Sequence, residues 1–203
     1  MNGIGLRELE FAEADCTAYL IAGTDEAGRG PLAGDVVAAA VILEPGQPIA
    51  GINDSKQLTA AKREILYEQI IQVSLDYGVG RCNAEEIDQM NILNASLTAM
   101  CRAVDGLKMK PELVYVDGNR CPVWDYQSKA IIKGDTKFQC IAAASILAKV
   151  IRDRDMLKIH EEYPGYGFAQ HKGYPTKLHM EAIEKLGPCP YHRRSFKPVN
   201  RLL

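Results

Sequence analysis

Asp25 and Glu26 are adjacent carboxylates that follow the apolar run "AYLIA" (residues 18–22) and precede "AGRG". Side by side they repel one another, and a turn needs at most one of them. Two further acids close strand-like runs much later in the chain, Asp117 after "LVYV" and Asp135 after "AIIKG". Strand ends on one edge of a sheet converge, so the four carboxylates are expected to gather. Gathered carboxylates call for cations between them, and hard oxygen donors select Mg²⁺ or Mn²⁺. A cluster of this kind suits two-metal hydrolysis of a phosphodiester, one ion activating water and the other stabilising the leaving oxygen. Taken singly, Asp117 before Gly118-Asn119 is also a good turn residue, and Asp135 before Thr136 is a candidate near a helix N-terminus. The adjacent pair carries the metal reading. A regular strand sends neighbours to opposite faces, so the strand is expected to distort at Glu26, which the following glycines would permit.

The same glycines superficially resemble a dinucleotide fingerprint. That motif needs G-x-G-x-x-G opening a helix, so that the helix N-terminus meets a pyrophosphate. Gly28, Gly30 and Gly34 have the wrong spacing, and the strand-like "VVAAAVIL" (residues 36–43) follows them. A nucleotide cofactor is not expected. The six cysteines, at positions 16, 82, 101, 121, 140 and 189, form no C-x-x-C and fit reduced, packed thiols. Cys189-Pro190-Tyr191-His192 lacks a second ligand pair, which argues against zinc.

The elements that must position these residues follow from periodicity and punctuation. Residues 18–25 and 36–43 read as two strands joined by the glycine turn. Thr59 is a plausible N-cap for a helix over 60–72, and 73–82 reads as a third strand. Residues 84–107 read as a helix in two pieces. Strands over 112–118 and 128–135 each end on an acid. The longest helical pattern covers 136–163, a loop spans 164–175, and a last helix over 176–187 stops at Gly187-Pro188. This order predicts an α/β fold with a mixed five-stranded sheet flanked by helices and a helical C-terminal extension.

"DEAGRGPLAG", "DSKQL" (54–58), "NIL" (91–93), "VDGNRCP" (116–122), "KGD" (133–135), "AAASILAKVIRD" (142–153), "YGFAQHKGYPT" (166–176) and "HRRSF" (192–196) occur in the order in which they stand in the bacterial ribonuclease HII family. The chain closely resembles that family over nearly its whole length. The resemblance implies an RNase H-like fold and a metal-dependent endonuclease. Such an enzyme cuts the RNA strand of RNA–DNA hybrids, and also cuts at a single ribonucleotide in duplex DNA, leaving 3′-hydroxyl and 5′-phosphate ends. It maps the catalytic, metal-holding acids to Asp25, Glu26, Asp117 and Asp135, the ribose-reading turn to Gly28, Arg29 and Gly30, and a junction-sensing tyrosine to Tyr174. Related ribonuclease HIII proteins usually carry an extra N-terminal domain, and the short segment before the first strand here fits HII better.

Lys56, Ser145, Lys149 and Arg152 are candidates for phosphate contacts, through charge or hydroxyl donation. Helix packing for Ser145 and a solvated face for Lys149 and Arg152 are the competing readings. His171, His179 and His192 are placed as phosphate contacts or structural residues, the latter being commoner in such a loop. Two other functions stay open at this stage, a hybrid-binding module without activity and a metal-dependent phosphatase or nuclease of different specificity.

The 203 residues, 47% hydrophobic and 25% charged, are enough for one well-buried core. One catalytic domain is expected over residues 1–203, with its core at about 18–160 and the C-terminal region at about 161–203. Net charge is only −2, but residues 1–117 hold 9 Lys and Arg against 18 Asp and Glu, and residues 118–203 hold 15 against 8. An acidic metal site beside a basic phosphate-binding surface fits that asymmetry. No run is long enough to span a bilayer and no leader pattern is visible, so a cytoplasmic monomer is expected, with RNA–DNA hybrid and ribonucleotide-containing duplex DNA as its partners.

Overall fold

A computed structural model describes residues 20–52, 55 and 58–202. Five strands form one sheet: β1 (Ile21–Ala27), β2 (Val36–Leu43), β3 (Ser74–Cys82), β4 (Leu113–Asp117) and β5 (Ser128–Ile131), in the order β3-β2-β1-β4-β5. β1, β2 and β3 pair antiparallel, whereas β4 and β5 run parallel to β1. The mixed sheet expected from the sequence is therefore present, because the short glycine turn can only close a hairpin and the later strands return through longer crossovers.

Alternation along β2 divides the core. Ala38, Ala40 and Ile42 pack with α2 (Ala84–Asp105) on one face, while Ala39 and Val41 pack with α1 (Ala60–Val73) and α3 (Gln139–Glu162) on the other. Asn83 caps α2 with a reciprocal Glu86 contact, and Asn91, at φ 67°, divides it into the two expected pieces. Residues 142–148 of α3 are buried and mostly alanine, so the helix lies very close to β1. At Gly23 a Cβ would stand 2.3 Å from the carbonyl carbon of Cys140, so only glycine permits that approach.

The last predicted strand and the helix after it are shifted. β5 stops at Ile131, Lys133 adopts a left-handed conformation (φ 55°), and Asp135 lies in a 3₁₀ turn (Gly134–Thr136) before α3 begins at Gln139. Asp135 thus sits on a tight connection. The expected distortion of β1 is also absent: Asp25↔Ala39, Glu26↔Ala38 and Ala27↔Val37 pair in unbroken register. The predicted loop at 164–175 contains a 3₁₀ turn (Pro164–Tyr166) and α4 (Phe168–His171); α5 (Lys177–Leu186) and α6 (Lys197–Asn200) complete the C-terminal region. Among the described residues no disulfide is present and no helix is long and apolar enough to cross a membrane.

The C-terminal elements pack on α3 around Phe168, Tyr166, Ile183 and Met156. Three buried histidines cross this cluster. The Cys189 N–H donates to His192 Nδ1 (3.0 Å), which leaves the His192 proton on Nε2 to reach His179 Nε2 (3.1 Å). His179 must then carry its proton on Nδ1, where it donates to the Tyr174 carbonyl (2.9 Å). The His171 ring stacks on His179 at 4.3 Å.

Burial and the neighbouring histidines hold both His179 and His192 down at about 4. A depressed native value means that the unfolded chain takes up protons first, near the ordinary histidine value, so the cluster's stabilisation is complete above that range and lost as pH falls toward 4. Histidine ring resonances followed by NMR should show these two rings neutral at pH 5; a midpoint near 6.5 for either ring would contradict the network.

Candidate active site

Parallel pairing of β1 with β4 runs from Ile21↔Leu113 to Thr24↔Val116, so Asp25 and Asp117 take the next position on neighbouring strands. Adjacent strands are about 4.8 Å apart, and residues at one level share a face. Asp25 lies opposite Ala39, which places it on the α3 side, where the Ser145 hydroxyl of α3 favours its ionised form. Its Oδ1 also accepts the Glu26 N–H (2.7 Å). Asp117 Oδ1 accepts the Gly134 N–H (2.7 Å), which ties the turn carrying Asp135 to the end of β4. Asp25 and Asp135 are each only 6% exposed.

Burial drives the Asp25 pKa well above the carboxylate range, and the charges of Glu26 and Asp117 push it further. Burial also raises Glu26, opposed by Arg29, whose Nη1 lies 3.2 Å from Glu26 Oε1. These acids therefore concentrate more negative charge than Arg29 offsets. The donors are all hard oxygens, and this chemistry fits divalent Mg²⁺ or Mn²⁺. Among the described residues no three His, Cys, Asp or Glu side chains are drawn tightly enough together to enclose an ion as they stand. Glu26 is turned to Arg29 and Asp117 to the Gly134 amide.

Beyond β1 the chain turns sharply. Gly28 has φ 100°, and a Cβ there would fall 2.2 Å from Arg152 Nε. Gly30 faces Tyr174: a Cβ at Gly30 would stand 3.6 Å from the tyrosine Cε1. The Leu32 N–H donates to the Gly173 carbonyl (2.8 Å), joining the glycine turn to the tyrosine's loop. Thus the structure brings Gly28, Arg29, Gly30 and Tyr174 together beside the acids. Tyr174 remains 42% exposed, available to a ligand.

The other candidates divide. Lys56 lies outside the described residues. Ser145 is buried, with its hydroxyl 2.9 Å from that of Ser55, and it favours the ionised form of Asp25. Lys149 is half-buried and pairs with Asp153 at 2.6 Å. Arg152 requires correction: it is 1% exposed, and its guanidinium donates to the carbonyls of Asp35, Lys172 and Ala33 (each 3.1 Å). A guanidinium sunk among carbonyls cannot meet a phosphate, so Arg152 shapes the turn. The histidines prove structural, as their buried network requires.

Arg193 carries no signal in its residue type, since nothing in "HRRSF" distinguishes a buried arginine from the exposed Arg194 beside it. It is fully buried, and burial pushes it down to about 9, leaving it cationic at neutral pH.

The family model described as Ribonuclease HII matches residues 22–199. The chain is 57% identical over 185 residues to the Ribonuclease HII of Vibrio vulnificus (strain YJ016), covering 91% of this chain and 89% of that protein. It is 58% identical over 180 residues to the Ribonuclease HII of Pseudoalteromonas atlantica, covering 89% and 91%. The crystal structure of ribonuclease H2 from Pyrococcus horikoshii OT3 superposes with a TM-score of 0.74 at 31% identity, covering 90% of this chain and 96% of that one.

Replacing Asp25 by Asn keeps the side chain's shape and removes a carboxyl whose ionisation burial, Glu26 and Asp117 all oppose. Metal-free Asp25→Asn protein should therefore be more stable than wild type, because the unfavourable burial and crowding of the carboxylate are gone. Urea unfolding in EDTA measures this, and a lower midpoint for the variant would refute the repulsion.

Proposed function

The chain belongs to the ribonuclease HII family, hydrolases acting on the RNA of RNA–DNA hybrids, and from that premise we propose that it also cuts duplex DNA on the 5′ side of a single embedded ribonucleotide, leaving 3′-hydroxyl and 5′-phosphate ends. The supporting observation is the juxtaposition of Asp25 and Asp117 at neighbouring strand ends with a glycine turn packed against an exposed tyrosine.

Asp25, Glu26, Asp117 and Asp135 would hold divalent ions, Mg²⁺ or Mn²⁺. When bound, such ions activate the attacking water and neutralise charge on the leaving oxygen. The chain's own residues orient the reaction. The Glu26 amide fixes the Asp25 carboxylate, and the Gly134 amide fixes Asp117, so neither side chain must be ordered when substrate arrives. Glu26 is the acid whose present partner, exposed Arg29, is easily exchanged.

Gly28, Arg29 and Gly30 let backbone approach a ribose closely, and the 2′-hydroxyl is the group by which a protein separates RNA from DNA. Tyr174 offers an aromatic face to the sugar or base beyond the junction. Arg120, Lys133 and Lys137 are exposed on the segments that carry Asp117 and Asp135, and they give the acids a cationic rim suited to phosphates. A single-domain monomer acting in the cytoplasm completes the proposal.

A labelled duplex with one ribonucleotide should be cut once, on its 5′ side, with Mg²⁺ present, while an all-DNA duplex and an EDTA sample stay intact. Cutting of the all-DNA duplex would refute 2′-hydroxyl reading. Asp117→Asn should lower turnover on the order of 10²- to 10³-fold, the loss typical of one preorganised electrostatic group. Near-normal turnover by the folded variant would remove Asp117 from the site. Tyr174→Ala should weaken duplex binding by about 1 to 3 kcal/mol, the contribution of one stacked aromatic.

A further inference from the structure

The glycine turn has a scaffold of its own. Arg193 directs all five guanidinium N–H groups at backbone carbonyls: Nε and Nη2 at Gly34 (3.0 and 2.8 Å), Nη2 also at Gly28 (2.6 Å), and Nη1 at Arg29 (3.1 Å) and Pro31 (2.7 Å). Its own backbone N–H donates to the Leu32 carbonyl (2.8 Å). The carbonyls of residues 28, 29, 31, 32 and 34 are thus drawn inward to a single residue, and Arg152 takes those of Ala33 and Asp35.

A trans peptide is planar, with its C=O and N–H pointing in opposite directions. Turning the Gly28 and Arg29 carbonyls inward therefore turns the N–H groups of Arg29 and Gly30 away from Arg193, and Gly30 itself lies against Tyr174. Neither amide takes a backbone or side-chain acceptor among the described residues. Successive outward amides form a donor pair suited to an electron-rich oxygen.

We infer that Arg193 is a positioning residue for substrate discrimination: by saturating its guanidinium on the inner carbonyls of the turn, it aims the Arg29 and Gly30 amides at the ribose beside Tyr174. This role rests on the ribonucleotide-reading function proposed above. Lysine cannot replace it, because an ammonium has three donors and no planar fork to reach four carbonyls at once. The segment is also clamped from outside. Asp88 on α2 accepts the N–H groups of Arg194 (2.8 Å) and Ser195 (2.9 Å) and the Ser195 hydroxyl (2.6 Å). That clamp is exposed, so removing it loosens the mounting of Arg193 without emptying a buried site.

The test is steady-state cleavage of a duplex with one ribonucleotide, together with inhibition by the all-DNA duplex of the same sequence, for wild type, Arg193→Lys and Asp88→Ala. A positioning role predicts that Arg193→Lys raises KM for the ribonucleotide duplex about tenfold or more, as expected when a hydroxyl loses its partners, while the inhibition constant of the all-DNA duplex holds. Asp88→Ala should shift the same ratio in the same direction by a smaller factor. A merely structural role would lower kcat through loss of folded protein and leave the ratio unchanged. If wild type fails to cut the ribonucleotide duplex, the parent function and this inference fall together. If wild type cuts and folded Arg193→Lys keeps the wild-type ratio, the inference alone is overturned. Should Arg193→Lys fail to fold, Asp88→Ala decides: a reduced preference supports the role, and an unchanged one overturns it.

Discussion

Two carboxylates held one strand apart repel, and much of the architecture around β1 works against that repulsion. The β1–β4 pairing carries Asp25 and Asp117 to the same level, and burial under α3 strengthens their mutual effect. Packing must supply what electrostatics takes away. The alanine-rich stretch of α3 and Gly23 allow the helix to lie directly on the strand, where Ser145 reaches the Asp25 carboxylate. Such a site holds strain that a cation would relieve, which is the usual relation between stability and function at a metal-dependent centre.

The second structural demand is the turn after β1. A glycine-rich segment is entropically costly to order. Here the shape comes from two buried guanidiniums contributed by distant parts of the chain, Arg152 from α3 and Arg193 from the C-terminal region. Their charge is balanced by carbonyl dipoles, an arrangement that survives burial because nearly every donor is satisfied. The same C-terminal segment holds Tyr174 through His192 and His179. One stretch of chain thus mounts both the turn and the aromatic residue that faces it.

Much of this molecule is legible in its order of residues. The adjacent acids, the two pieces of α2 and the Thr59 cap all follow from residue type and spacing, because each is a local choice. The departures are equally physical. Asp135 reads as a strand end, but Lys133 enters a left-handed conformation that no propensity rule assigns to lysine. The expected distortion at Glu26 rests on the need to bring both acids to one face; β1 stays regular, and Glu26 instead lies near the end of the strand, where it meets Arg29. Arg152 reads as a phosphate contact because an arginine in the second half of a helical pattern is usually solvated.

By itself, the sequence determined the supply of carboxylate oxygens, the mixed α/β architecture and, through its motifs, the family. Those depend on which residues occur and on short-range periodicity, which a linear chain carries in full. Only the tertiary structure decided which cations face outward and which are buried, that Gly30 lies against Tyr174, and that Arg193 commands the turn. Burial and long-range contact are properties of chain segments more than a hundred residues apart, such as Gly28 and Arg193. No local pattern encodes whether two such segments will meet.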